Sequence, residues 1–132
     1  RQGIAVTGAL NQHGELLPVG GINEKIEGYF RSCERLGLTG QQGVLIPRRN
    51  RRHLMLAPQI VEAVAQGRFR IWTADTAGEG MALLSGRPYG EPGPGGYAPD
   101  TVLGRAQRTL QEYRKACQAS GRVERRPRPL KS

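Results

Sequence analysis

The spacing of hydrophobic positions changes several times along the first 86 residues, and each change marks an element. Ile4 to Leu10 alternates, with Ile4, Val6 and Leu10 on one side and Ala5, Thr7 and Ala9 on the other. A period of two predicts a strand. The turn cluster Asn11-Gln12-His13-Gly14 and the run Glu15-Leu16-Leu17-Pro18-Val19 complete a hairpin, with the proline at an edge or an end. After Gly20-Gly21 the period becomes helical. Ile22, Ile26, Tyr29, Phe30, Cys33 and Leu36 share one stripe, and Gly37 can cap the end. Gly43 to Ile46 is a short apolar run ended by Pro47, a buried strand. Asn50 to Leu56 suits one or two helical turns, and Pro58 to Ala65 a short helix with proline in its first turn. Phe69 to Trp72 alternates as a strand, with Trp72 in the core. Thr76-Ala77-Gly78-Glu79 has the form of a capping box for a helix stopped by Gly86. The order β-β-α-β-α-β-α predicts an α/β (α+β) layer fold, a mixed β-sheet with covering helices.

Beyond residue 86 the pattern weakens. Leu, Ile, Val and Phe number 28 in the chain, and 23 of them lie in residues 1–86. Residues 87–100 hold four prolines and four glycines, the composition of a linker or irregular loop. Residues 101–119 carry a helical stripe of Val102, Ala106, Leu110, Tyr113 and Cys117. From Gly121 the sequence is rich in Arg and Pro, and a disordered tail is expected. The expected division is therefore 1–86 as the folded domain and 87–132 as linker, one helix and basic tail. No internal repeat is present.

Composition narrows the classes. The net charge is +9, and seventeen of the twenty cations are arginine. Residues 1–86 carry ten cations against seven anions, and residues 87–132 ten against four. No run approaches the ~18 apolar residues of a membrane span, and none suits a signal peptide. Cys33 and Cys117 make no disulfide framework, which fits a reducing cytoplasm. The chain starts at Arg1 in a strand-like run, as a fragment of a longer protein would.

One residue of the first helix is out of place. On a wheel of about 100° per residue, Lys25 falls at the flank of the apolar stripe, while the other charges face solvent. It also sits in the first turn, where the macrodipole disfavours a cation. Partial burial there would add to the effect, and both favour the neutral amine that a general base near pH 7 requires. Gly20-Gly21 just ahead would let a peptide backbone approach closely. The plain alternative is a lysine that snorkels over an apolar edge. A lysine base also needs a hydroxyl. Ser32 shares the stripe but lies seven residues on, about 10 Å along the axis. Ser85, Ser120 and Ser132 have no recommending spacing.

Three stretches carry a family resemblance: Ile4-Ala-Val-Thr-Gly-Ala-Leu, Gly14-Glu-Leu-Leu-Pro-Val-Gly-Gly-Ile-Asn-Glu-Lys25 and Gly43-Val-Leu-Ile-Pro-Arg-Arg-Asn50. In this order they resemble the proteolytic domain of Lon proteases (protease La), and the likeness runs from residue 3 to about 86. The wording Gly-Gly-Ile-Asn-Glu-Lys-Ile-Glu-Gly-Tyr-Phe, with His53-Leu-Met-Leu later, is nearest to bacterial Lon-like homologues. The resemblance implies a serine endopeptidase with a Ser-Lys dyad, Lys25 as its base and Thr7 hydrogen-bonded to that lysine. Gly20 and Gly21 are the candidate substrate-binding positions. The family's serine belongs to a segment further toward the N-terminus, and twenty-four residues before Lys25 are too few to reach it. The fragment alone is then expected to be inactive. The resemblance also implies an upstream ATPase module holding ATP and Mg, a cytoplasmic ring, a hexamer, and unfolded or damaged proteins as substrates. One departure is Ala9, where the family often has Glu after Thr-Gly.

Other signals are weaker. Arg48, Arg49, Arg51 and Arg52 with His53 form a basic cluster that could grip phosphate, nucleic acid or an acidic tail. A solvated helix start with Asn50 as N-cap accounts for it as well, and no aromatic residue interleaves it. Arg122 to Lys131 could contact nucleic acid or an acidic partner, or simply solubilise the end. His13 and His53 lack metal-ligand spacing to either cysteine, so no metal is expected. There is no Walker A and no Gly-x-Gly-x-x-Gly motif, so no nucleotide cofactor is expected within the chain. The competing function is a non-catalytic basic module that binds nucleic acid or an acidic protein.

Overall fold

The computed structural model describes residues 2–124, with side chains to residue 120. It divides into two compact units, Arg1–Gly86 and Arg87–Ser132. The first holds β1 (Ile4–Val6), β2 (Ala9–Leu10), β3 (Leu16–Leu17), α1 (Ile22–Leu36), β4 (Gly43–Pro47), the 3₁₀ helix η1 (Arg48–His53), α2 (Pro58–Ala65), β5 (Arg70–Ala74) and α3 (Ala77–Ser85). The α/β class expected from the element order is present, with parallel and antiparallel pairing and covering helices.

The pairing is divided between two sheets. β1, β4 and β5 form a three-stranded parallel sheet in the order β1-β4-β5, and β2 pairs antiparallel with β3. The expected single strand over residues 4–10 is thus broken at Thr7-Gly8. Thr7 still donates its N–H to the Leu45 carbonyl at 3.1 Å. Gly8 then lies against the Pro47 ring, with a Cβ there only 3.1 Å from it. Proline has no N–H with which to continue the ladder. The hairpin is anchored elsewhere, by the Leu16 N–H on the Asp75 carbonyl at 2.8 Å and a bridge between Glu15 and Thr76.

Val6 is 53% and Leu10 58% exposed, whereas Ala5 packs against the core. Ala5 is paired with Val44 and Val6 with Leu45. The face carrying Val44 and Ile46 receives α1 and α2, and it takes Ala5 with it. Ile22, Ile26, Phe30 and Cys33 of α1 meet Ile60 and Ala63 of α2 there, and Phe69 fills the centre. Phe30 and Phe69 are edge to face, 5.2 Å apart at 88°. Tyr29 donates to the Gly3 carbonyl at 2.8 Å. Burial, with the Cys33 thiol alongside, raises its hydroxyl pKa above the ordinary value. The predicted stripe of α1 is narrower than expected, because Leu36 is exposed near the helix end. Trp72 is half-buried, and its indole ring lies where a Cβ on Gly43 would collide.

On the opposite face Leu45 lies under α3, where Gly80 leaves room for it. Val6, Leu10, Leu16, Met81 and Leu84 line an open groove beside it. The capping box of α3 forms as the sequence predicts: the Thr76 hydroxyl accepts from the Glu79 N–H at 3.2 Å.

The second unit contains α4 (Val102–Glu124) and the irregular segment before it. Val102 and Leu103 donate to the carbonyls of Pro88 and Tyr89, so this segment is fastened to the start of the helix. The Thr101 hydroxyl accepts from the Gly104 N–H at 3.0 Å. The helix runs past the expected end at residue 119, and residues 121–124 are helical rather than disordered. Extending a formed helix adds one bond for each residue fixed, so Gly121 does not stop it. The remainder of the expected tail, residues 125–132, lies outside the described residues. Among the described residues no helix is long and apolar enough to cross a membrane.

Candidate functional site at the entry of the first helix

All three strands of the parallel sheet end on the same edge, where Val6, Pro47 and Ala74 hand over to Thr7-Gly8, η1 and Asp75-Thr76. Ligand sites of open α/β sheets lie outside the carboxyl ends of the strands. The entry of α1 is tied to this edge by two asparagines. Asn50, on η1 and 1% exposed, accepts from the Val19 N–H at 3.0 Å and donates to the Val19 carbonyl at 3.0 Å. Asn23, the second residue of α1, donates to the His53 carbonyl at 3.0 Å and accepts from the Met55 N–H at 2.7 Å. Asn50 is therefore a buried tie and not the N-cap that its position suggested.

Between these ties lie Gly20 and Gly21. Gly21 caps α1 in the left-handed conformation, φ 67°, which a side chain would strain. A Cβ at Gly20 would meet nothing within 4 Å, and both glycines are exposed. They border a shallow depression that Val19, Asn23 and His53 also line. An extended peptide could lie along exposed backbone here.

Lys25 follows in the first turn and is exposed. The partial burial expected for it is not supplied by these residues. Only Ile22, Ile26, Phe30 and Cys33 are buried on α1, which leaves the flank of the stripe open. Thr7 is half-buried at the end of β1, and its backbone pairs with Leu45. Among the described residues no hydrogen bond joins Thr7 to Lys25. Ser32 is exposed and turns its hydroxyl back to the Gly28 carbonyl at 3.1 Å.

The basic cluster is less uniform than its sequence. Arg48 reaches Asp75 at 2.7 Å and Glu79 at 3.9 Å, binding η1 to the start of α3. Both partners are half-exposed, so the pair adds little stability. Arg49, Arg51 and Arg52 remain exposed on η1. Among the described residues no three of His, Cys, Asp and Glu converge on a metal site.

Residues 1–79 match the family described as the Lon protease (S16) C-terminal proteolytic domain. A Lon protease homologue of Escherichia coli (strain K12) is 51% identical over 83 residues, which is 63% of the chain and 14% of that protein. A Lon protease homologue of Haemophilus influenzae is 44% identical over 86 residues, 65% of the chain and 14% of that protein. An archaeal Lon protease of Pyrococcus abyssi is 38% identical over 64 residues, 48% of the chain and 6% of that protein. The chain spans about one seventh of the length of the first two relatives.

Proposed function

The chain belongs to the family of Lon protease C-terminal proteolytic domains, and from that premise we propose that it is the lysine-bearing part of a Ser-Lys peptidase. The observation that carries this reading is the placement of Lys25. It stands in the first turn of a helix whose entry is an exposed Gly-Gly ledge, on the carboxyl edge of a parallel sheet. In this reading the Lys25 amine acts as the base that takes the proton of a serine hydroxyl. The serine oxygen bonds to the substrate carbonyl carbon and the amide C–N bond breaks. The leaving amine receives the proton, and water then hydrolyses the ester. Thr7 supports the lysine, and Gly20-Gly21 holds the substrate backbone.

The serine would be supplied from a segment N-terminal to Arg1 in a longer protein. The open apolar groove of Val6, Leu10, Leu16 and Met81 supports this, because parallel sheets are ordinarily covered on both faces. That segment would cover the groove. The 132-residue chain by itself would be inactive. ATP and Mg would bind in a further module of the longer protein, a cytoplasmic ring, a hexamer, that degrades unfolded or damaged proteins. Peptide and casein hydrolysis by the longer protein, with and without ATP, tests the reading. Hydrolysis of both, with casein cleavage stimulated by ATP, is expected. A protein inert toward both substrates would overturn it. The basic-module alternative rests on Arg49, Arg51 and Arg52, and loss of one Arg48 charge to an ion pair weakens it.

A further inference from the structure

We infer that Asn50 is a positioning residue for the site, holding the Val19–Gly21 ledge and the first turn of α1 in register with the sheet edge. The inference rests on the peptidase reading of Lys25. Asn50 is 31 residues from Val19 in sequence, yet its side-chain amide satisfies both polar groups of the Val19 backbone, as a paired strand would. The amide is almost fully buried, so water cannot take over either bond. Its Nδ2 also lies 3.4 Å from His53 Nδ1. Asn23 returns the connection in the opposite direction, from α1 to the backbone at His53 and Met55. The ledge is thus stitched on both sides to the segment that follows β4.

The two glycines are the reason such stitching matters. Glycine leaves the backbone its widest choice of conformations, and nothing packs on Gly20 to narrow that choice. Lys25 lies only four residues beyond Gly21, to which its own N–H is bonded at 3.1 Å. A shift of the ledge therefore moves the first turn and the amine with it. Displacements of about 1 Å at a reacting group can cost about 100-fold in rate. Asn50→Asp keeps the acceptor for the Val19 N–H but turns a carboxylate oxygen toward the Val19 carbonyl. Asn50→Ala loses both bonds.

The test has two arms. In the longer protein, kcat and KM for a short peptide are measured at a temperature well below the melting point of each variant. Asn50→Ala and Asn50→Asp are expected to lower kcat at least tenfold with KM changed less than threefold. In the 132-residue chain, amide exchange is followed residue by residue. Exchange at Val19 to Lys25 is expected to accelerate in both variants, with the β4 and β5 amides unchanged. An unchanged kcat beside an active wild type would overturn the inference, as would uniform acceleration across the sheet. A wild type inert toward peptides would sink the peptidase reading and the positioning role with it. In that case the exchange arm still decides whether Asn50 fixes the ledge.

Discussion

Replacing Lys25 by alanine in the longer protein will abolish peptide hydrolysis, lowering kcat by about 10⁴-fold or more, as removal of one member of a catalytic unit does. At about 1.4 kcal/mol per decade this corresponds to roughly 5.5 kcal/mol of lost transition-state stabilisation. The fold will survive the change. Lys25 is exposed and makes no ion pair among the described residues, so its removal should shift stability by less than about 0.5 kcal/mol. Lys25→Arg sharpens the expectation. It restores charge and length, but a guanidinium does not give up its proton in proteins and cannot serve as a base. Steady-state kinetics beside thermal melts of the three proteins separates the base from a solvated surface cation. An arginine variant with near wild-type kcat would point to a cation that only binds.

The second large effect concerns the core on which the site stands. Phe69→Ala will cost about 3–5 kcal/mol, the range for truncating a buried aromatic residue. Phe69 is 0% exposed and touches both Phe30 and Tyr29 of α1. It precedes β5 directly and packs with α1 and α2 at once, so no single element can move in to fill the void. For a unit of this size the loss corresponds to a fall in melting temperature of about 12–40 °C. Denaturant titration of the variant chain measures it. Phe69→Leu keeps much of the volume and should recover more than half of the loss. A melting point within a few degrees of wild type for the alanine variant would mean that Phe69 is not the hub of this core.

How much of this was legible in the sequence depended on how local each cause is. The period of Ile22, Ile26, Phe30 and Cys33 is a property of one helix, and it marks both the element and its buried face. The Gly43–Pro47 run and the Thr76–Glu79 cap are local in the same sense. The motifs around Thr7, Lys25 and Asn50 are specific enough in order and spacing to identify the family. What escaped depends on distant partners. Alternation over Ile4–Leu10 cannot say that Val6 pairs with Leu45 in one sheet while Leu10 pairs with Leu16 in another. Nor can it say which face receives the helices. The exposure of Lys25 follows from what packs beside α1, and the wheel shows only its angle. Arg48 reads as one of six polar residues in a row, whereas Asp75 and Glu79 claim it. Asn50 reads as a helix cap, and only its distant bond to Val19 shows why a buried amide stands at the end of a strand.

The central claim is that Lys25 activates a serine contributed from outside these 132 residues. The direct measurement is covalent trapping of the longer protein with a fluorophosphonate, followed by mapping of the modified residue by mass spectrometry, in wild type and Lys25→Ala. The account predicts one adduct, on a serine N-terminal to Arg1, that is lost in the variant. An adduct on Ser32 or another serine of this chain, or labelling unchanged by Lys25→Ala, would contradict it.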